Sequence, residues 1–299
     1  MLSAKVWKLD AVIRLLLSVF ICYFAGSTVV SVSYAVQAKT EPRFYLAAVG
    51  ALGCMGAALF FVRQPWSLEN VLKRMIRLMV FFYLGLVLTV VAQRWLGTSK
   101  AVTPNTWQLL LSVLCLQGAS LAFIHLFLRD QGYRWKEAFG LDLAPGRAVL
   151  AGIGAILLFL PLGWKLQHVS VEMLTRWLHA PPEEQLPVQT LRQAVGWGDR
   201  CVLGFVTILL VPVAEELLFR GVLYSGLKQL GRPRLALWGS SLFFAAFHMS
   251  APSFLPLFVL AMCLVALYEW SGNLLAPISA HALFNALNFI LLYWLDKRP

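Results

Sequence analysis

The stretch 199–221, DRCVLGFVTILLVPVAEELLFRG, carries no charged side chain from Cys201 to Ala214 and then places Glu215, Glu216 and Arg220 at its far end. An apolar run of about 20 residues is the length of helix that crosses a bilayer. Ionisable groups in such a run cost roughly 2.5–3.5 kcal/mol each on insertion scales, and they are kept where they face a partner or a polar cavity. The stretch therefore reads as a membrane-spanning helix with chemistry at one end.

Runs of the same kind recur along the whole chain, at roughly 11–36, 43–62, 76–93, 106–128, 148–164, 199–219, 235–249, 253–270 and 273–295. They predict an all-α polytopic integral membrane protein with nine transmembrane helices, or eight, since 235–249 and 253–270 are short. Composition agrees. Only 13% of the 299 residues are charged and 60% are hydrophobic, whereas a soluble domain carries about 25% charged residues. The chain divides into N-terminal transmembrane helices (1–147), a transmembrane helix with an amphipathic loop (148–198) and a C-terminal membrane core (199–299).

The net charge of +11 does not point to nucleic acid, because the basic residues lie mostly between apolar runs and form no stripe interleaved with aromatics. They read instead as topology-setting loops. With the N-terminus inside, Lys5, Lys8 and Arg14 fall on the cytoplasmic face, as do Arg63, Lys73, Arg74 and Arg77. So do Arg129, Arg134, Lys136 and Arg147, and then Lys228, Arg232 and Arg234. Lys297 and Arg298 argue against the outward C-terminus that an odd count requires. The first apolar stretch, to about Val36, is too long for a signal-peptide core and reads as a retained anchor.

The five cysteines lie inside apolar segments without metal-ligand spacing and read as buried small hydrophobes. Gly140, Pro145 and Gly146 mark a turn. Val169, Met173, Leu174, Trp177 and Leu178 have the spacing of a helix lying in the interface, ended by Pro181, Pro182, Glu183 and Glu184. Gly50, Gly53 and Gly56 suit close helix packing. Tryptophans gather near segment ends, as an aromatic belt does.

Three clusters accept the cost of polarity within apolar helices: Glu215, Glu216 and Arg220; Phe244 and His248; His281 and Asn285. Glu216 and Arg220 stand four apart and stack on one helix face as an ion pair. Glu215 lies about 100° round the helix, which leaves it free for chemistry. His281 and Asn285 project from one face, where two donors can meet one oxygen, and Phe244 packs against His248 or limits its rotamers. A carboxylate, two imidazoles and an amide suit hydrolysis. Glu215, sharing the proton with His248, takes it from water, and His281 and Asn285 hold the oxyanion.

Ser240 and Ser241 read as bonding back to helix carbonyls, and Ser279, after Pro277, as a helix cap. His125 reads as a packing residue, His168 and His179 as solvated or interfacial, and Glu269 as a solvated interfacial carboxylate.

At these residues the chain resembles the CAAX-protease and bacteriocin-processing family, the Abi or Rce1-like intramembrane proteases. The resemblance rests on Glu215-Glu216-x-x-x-Arg220, Phe244-x-x-x-His248 and His281-x-x-x-Asn285 in that order, with Gly221 after the arginine and Asn273-Leu-Leu-Ala-Pro-Ile before His281. It covers about residues 200–290. It implies a conical polar active-site cavity formed by the C-terminal helices, with Glu215 and His248 activating water, His281 and Asn285 as the oxyanion site, and Glu216, Arg220 and Phe244 in support. The implied activity is that of an endopeptidase cutting a peptide or membrane-protein substrate at or within the lipid bilayer. The cytoplasmic membrane is expected if the source is bacterial, the endoplasmic reticulum if it is eukaryotic. No cofactor is expected, zinc held by the two histidines and a glutamate being the alternative. A non-proteolytic scaffold or immunity protein of the same fold is a further alternative, and a transporter with Glu215 as proton relay ranks last.

Overall fold

The computed structural model describes residues 7–37, 106–178, 185–194 and 196–295, and all of their regular elements are helical. The expected spans 43–62 and 76–93 lie outside these residues. So do Cys54, the Gly50–Gly53–Gly56 series, His179, the Pro181–Glu184 stop, Lys297 and Arg298. Among the described residues five helices are long and apolar enough to cross a membrane: Leu109–Asp130, Pro145–Trp177, Trp197–Gln229, Ala251–Ser271 and Leu275–Tyr293.

The chain forms two compact units, Lys8–Ala119 and Met1–Trp7 with Ser120–Pro299. In the first, α1 (Leu9–Gln37) packs on α2 (Thr106–Val113) and on the π turn Leu114–Gly118 that follows it. Gly26 permits this approach, since a Cβ there would sit 2.4 Å from the Cys115 sulfur.

The second unit holds α3 (Ala119–Asp130) from Ser120 on, α4 (Trp135–Phe139), α5 (Pro145–Leu178) and α6 (Leu186–Gln193). It continues with α7 (Trp197–Gln229), α8 (Pro233–Phe247), α9 (Ala251–Ser271) and α10 (Leu275–Leu295). Helix α5 packs along α9 and α10, and α8 along α9. Small residues let the backbones meet. A Cβ on Gly152 of α5 would fall 2.3 Å from the Ala276 carbonyl oxygen of α10.

Several expectations change here. The amphipathic stretch after 164 is no separate loop helix but the continuation of α5, 34 residues in all. That is about 51 Å at 1.5 Å per residue, well beyond the ~30 Å hydrocarbon core, so an apolar span can run on into an amphipathic end without a break. By the same arithmetic the 15 residues of α8 reach only about 22 Å, short of a full crossing. Cys201 and Cys263 are exposed rather than buried, on helix faces turned outward, while Cys22 and Cys115 are buried. Trp177, Trp197 and Trp270, near the ends of α5, α7 and α9, are 82%, 80% and 74% exposed, which is where an interfacial belt places them.

The start of α10 is tied to the loop after α4. Leu274 N donates to the Phe139 carbonyl at 3.0 Å, Asn273 Nδ2 to the Leu143 carbonyl at 2.8 Å, and Leu275 N to Asn273 Oδ1 at 2.8 Å. Asn273, not Ser279, therefore caps α10; the Ser279 hydroxyl donates to the Ala276 carbonyl inside the helix. Gly140 (φ +65°) stands against Gly272, whose carbonyl oxygen would lie 2.1 Å from a Cβ on Gly140. Gly140→Ala is expected to cost about 1–2 kcal/mol in left-handed strain, with the backbone clash adding to it. Gly132→Ala, at φ +73° with open space around it, incurs the strain alone. Equal thermal shifts for the two variants in detergent would show that the α4–α10 contact contributes nothing.

Candidate active site

Helix α7 is not regular. It passes through π turns at Val206–Leu210 and Leu217–Tyr224, with an α segment, Val211–Glu216, between them. Pro212, which has no N–H to donate, opens that segment. Glu215 and Glu216 close it, both buried. π turns shift the helical register and often occur at functional sites, and here they bracket the two carboxylates.

Glu216 and Arg220 form the expected ion pair, with Nη1 donating to Oε1 at 2.7 Å and side chains 0% and 2% exposed. The same Glu216 oxygen takes His281 Nδ1 at 2.8 Å, a contact that the spacing within one helix could not reveal. Arg220 also reaches the Ala261 carbonyl of α9 at 3.4 Å, and its guanidinium lies 4.4 Å over the Phe244 ring. Phe244 in turn packs against His248 (4.7 Å) and His281 (5.8 Å). A buried arginine satisfied by a carboxylate, a carbonyl and a ring face is held firmly.

Glu215 points elsewhere. Its Oε2 lies 3.9 Å from His248 Nε2 and 3.9 Å from His281 Nε2, and among the described residues it has no hydrogen-bond partner. Thus α7, α8 and α10 bring Glu215, His248 and His281 together. His248 Nδ1 meets the Phe244 carbonyl at 2.8 Å. A carbonyl only accepts, so this nitrogen carries the hydrogen and Nε2 faces Glu215 as an acceptor. Side-chain exposure falls from 19% at His248 to 10% at Glu215 and 4% at His281, so the site opens on the His248 side.

Asn285 is placed differently from the others. Its Nδ2 donates to the Thr207 carbonyl, in the first π turn of α7, at 2.9 Å. One amide hydrogen is thereby committed and the second remains to donate. Among the described residues no group of three or more His, Cys, Asp or Glu side chains is arranged to hold a metal ion.

Among the other polar residues, Glu269 and the Ser240–Ser241 pair depart from expectation, while His125 and His168 agree with it. Glu269 is not simply solvated: Lys228 Nζ reaches its two oxygens at 2.6 and 2.5 Å, and the Tyr224 hydroxyl donates to it at 2.9 Å. The Ser240 and Ser241 hydroxyls are buried without a hydrogen-bond partner among the described residues. His125 accepts from Trp135 Nε1 at 3.3 Å and stacks on its ring. His168 is exposed.

Fold and site together define an integral membrane protein of packed helices with a buried carboxylate–imidazole cluster. Residues 197–287 match the family model described as type II CAAX prenyl endopeptidase Rce1-like, so the resemblance read from three short motifs holds across the segment that contains them all. The chain is also 40% identical over 83 residues to an uncharacterized protein, YpbD, of Bacillus subtilis (strain 168). That alignment covers 26% of this chain and 40% of the relative's length. No solved structure matches.

Proposed function

We propose that the protein is an intramembrane endopeptidase in which Glu215 activates water. The observation that carries this reading is the pair of 3.9 Å separations around Glu215 Oε2. They are too long for hydrogen bonds and suit a water seated between the groups. The match to a prenyl endopeptidase family supports the reaction class.

Water bound there donates one hydrogen to Glu215 and the other to His248 Nε2, turning an oxygen lone pair toward the substrate carbonyl carbon. As the C–O bond forms, Glu215 takes the proton, and it returns the proton to the leaving nitrogen when the C–N bond breaks. The developing oxyanion accepts from His281 Nε2–H and from the second amide hydrogen of Asn285. Because Nδ1 of His281 already donates to Glu216, this role calls for the imidazolium. Two carboxylates, one guanidinium and one imidazolium then leave the buried cluster with no net charge. Glu216, Arg220 and Phe244 hold the histidines in this mechanism, which needs no metal. Substrates are peptides or membrane proteins presented through a polar cavity on the His248 side.

Cleavage of a library of membrane-proximal peptides by the purified chain, with and without a zinc chelator, tests this. Activity that survives chelation is the expected result. Loss with chelator and recovery with zinc would replace it with the metal-dependent mechanism, and failure to cut any peptide would favour a non-proteolytic scaffold. His281→Ala and Asn285→Ala should each lower kcat by roughly 10²–10³-fold, as removal of an oxyanion donor does. Substrate affinity should hardly change, and a selective loss of binding would sink the oxyanion assignment.

A further inference from the structure

Where α7 ends, α8 begins and α9 ends, these three helices line an open groove of about 560 Å³. Its walls are apolar, among them Leu237, Val259, Met262 and Cys263, and Arg234 lines it as well. The polar residues gather where α7 ends and α8 begins. There Glu269 is neutralised by Lys228, with the Tyr224 hydroxyl donating to it as well, and offers no free negative charge. Arg232 and Arg234 are exposed, and neither forms an ion pair with a described residue.

Arg232, just before α8, and Arg234, in its first turn, lie at the end of the bundle that the positive-inside pattern places on the cytoplasmic side, where the leaflet carries anionic lipid and basic pockets between helices take anionic headgroups. A peptide strand in so apolar a groove would leave its backbone groups unpaired. An uncharged lipid would leave the arginines without a partner. We propose that the groove binds an anionic diacyl phospholipid, one acyl chain lying between α8 and α9 and the phosphate resting on Arg234 with Arg232 beside it.

Cys263 reports on occupancy because its thiol is exposed in the groove. In the full-length chain with Cys54→Ser and Cys201→Ser, N-ethylmaleimide labelling of Cys263 is followed in nanodiscs of phosphatidylglycerol or of phosphatidylcholine. Phosphatidylglycerol is expected to slow labelling about fivefold or more, the factor equivalent to the ~1 kcal/mol a basic residue gains near an anionic headgroup. Arg234→Gln should remove most of that difference and Arg234→Lys should keep it, while the rate in phosphatidylcholine stays at the parent value and shows the fold intact. Equal rates in the two lipids, or a difference that survives Arg232→Gln with Arg234→Gln, would overturn the proposal. Protection by glycerol 3-phosphate alone in phosphatidylcholine would overturn it too, by marking a soluble-phosphate site.

Discussion

Glu215→Gln is expected to reduce peptide cleavage by about 10²–10⁴-fold, the range that a positioned general base contributes, while leaving the protein folded. The substitution keeps the size of the side chain and removes its negative charge and with it the capacity to take a proton. The stability side follows from the surroundings: Glu215 Oε2 makes no hydrogen bond to a described residue, so little packing or bonding is lost with the charge. Cleavage rate and thermal unfolding in detergent, measured on the same preparation, separate the two effects. Retained activity in a folded Glu215→Gln protein would remove Glu215 from the chemistry and with it the proposed mechanism.

Arg220→Ala should act in the opposite way, through stability. The guanidinium is almost wholly buried and holds Glu216 at 2.7 Å, the Ala261 carbonyl at 3.4 Å and the Phe244 ring face at 4.4 Å. Removing one partner of a buried ion pair costs about 3–5 kcal/mol because the other charge stays behind unpaired. Here the stranded group is Glu216, and it also holds His281, so activity should fall along with the fold. The expected signature is a markedly lowered unfolding temperature and a smaller yield of folded protein. Glu216→Gln combined with Arg220→Met removes both charges and should recover part of the lost stability, though not the orientation of His281. An Arg220→Ala protein as stable as the parent would show that the pair does not brace the site.

The two substitutions mark how far the sequence reaches. Arg220 four residues after Glu216 is a statement about one helix, and 3.6-residue periodicity delivers it even where α7 turns to π geometry. The bond from the same Glu216 oxygen to His281, 65 positions on, is not such a statement. Neither is the bond from Asn285 to the Thr207 carbonyl, since nothing in the local pattern announces that a π turn aims that carbonyl at α10. Asn273 stood out as part of Asn-Leu-Leu-Ala-Pro-Ile, but its function as the tether between α10 and the loop after α4 depends on Leu143, 130 residues away. Glu269 is the same case: its partners, Lys228 and Tyr224, come from another helix and leave no trace in its own local sequence.

What the sequence by itself determined is the solvent and the polar residues set within it. Long apolar runs demand lipid, and ionisable residues inside them demand partners, because every uncompensated polar group there carries a free-energy cost. Tertiary structure alone decided which partner each residue received, how far α5 extends, that α8 falls short of a crossing, and that Glu215 rather than Glu216 faces the two imidazoles across open distances. Periodicity constrains neighbours three and four residues apart on one helix. Convergence of α7, α8 and α10 is set by packing between helices, as where Gly204 of α7 meets the Phe289 ring of α10, and no local pattern encodes it.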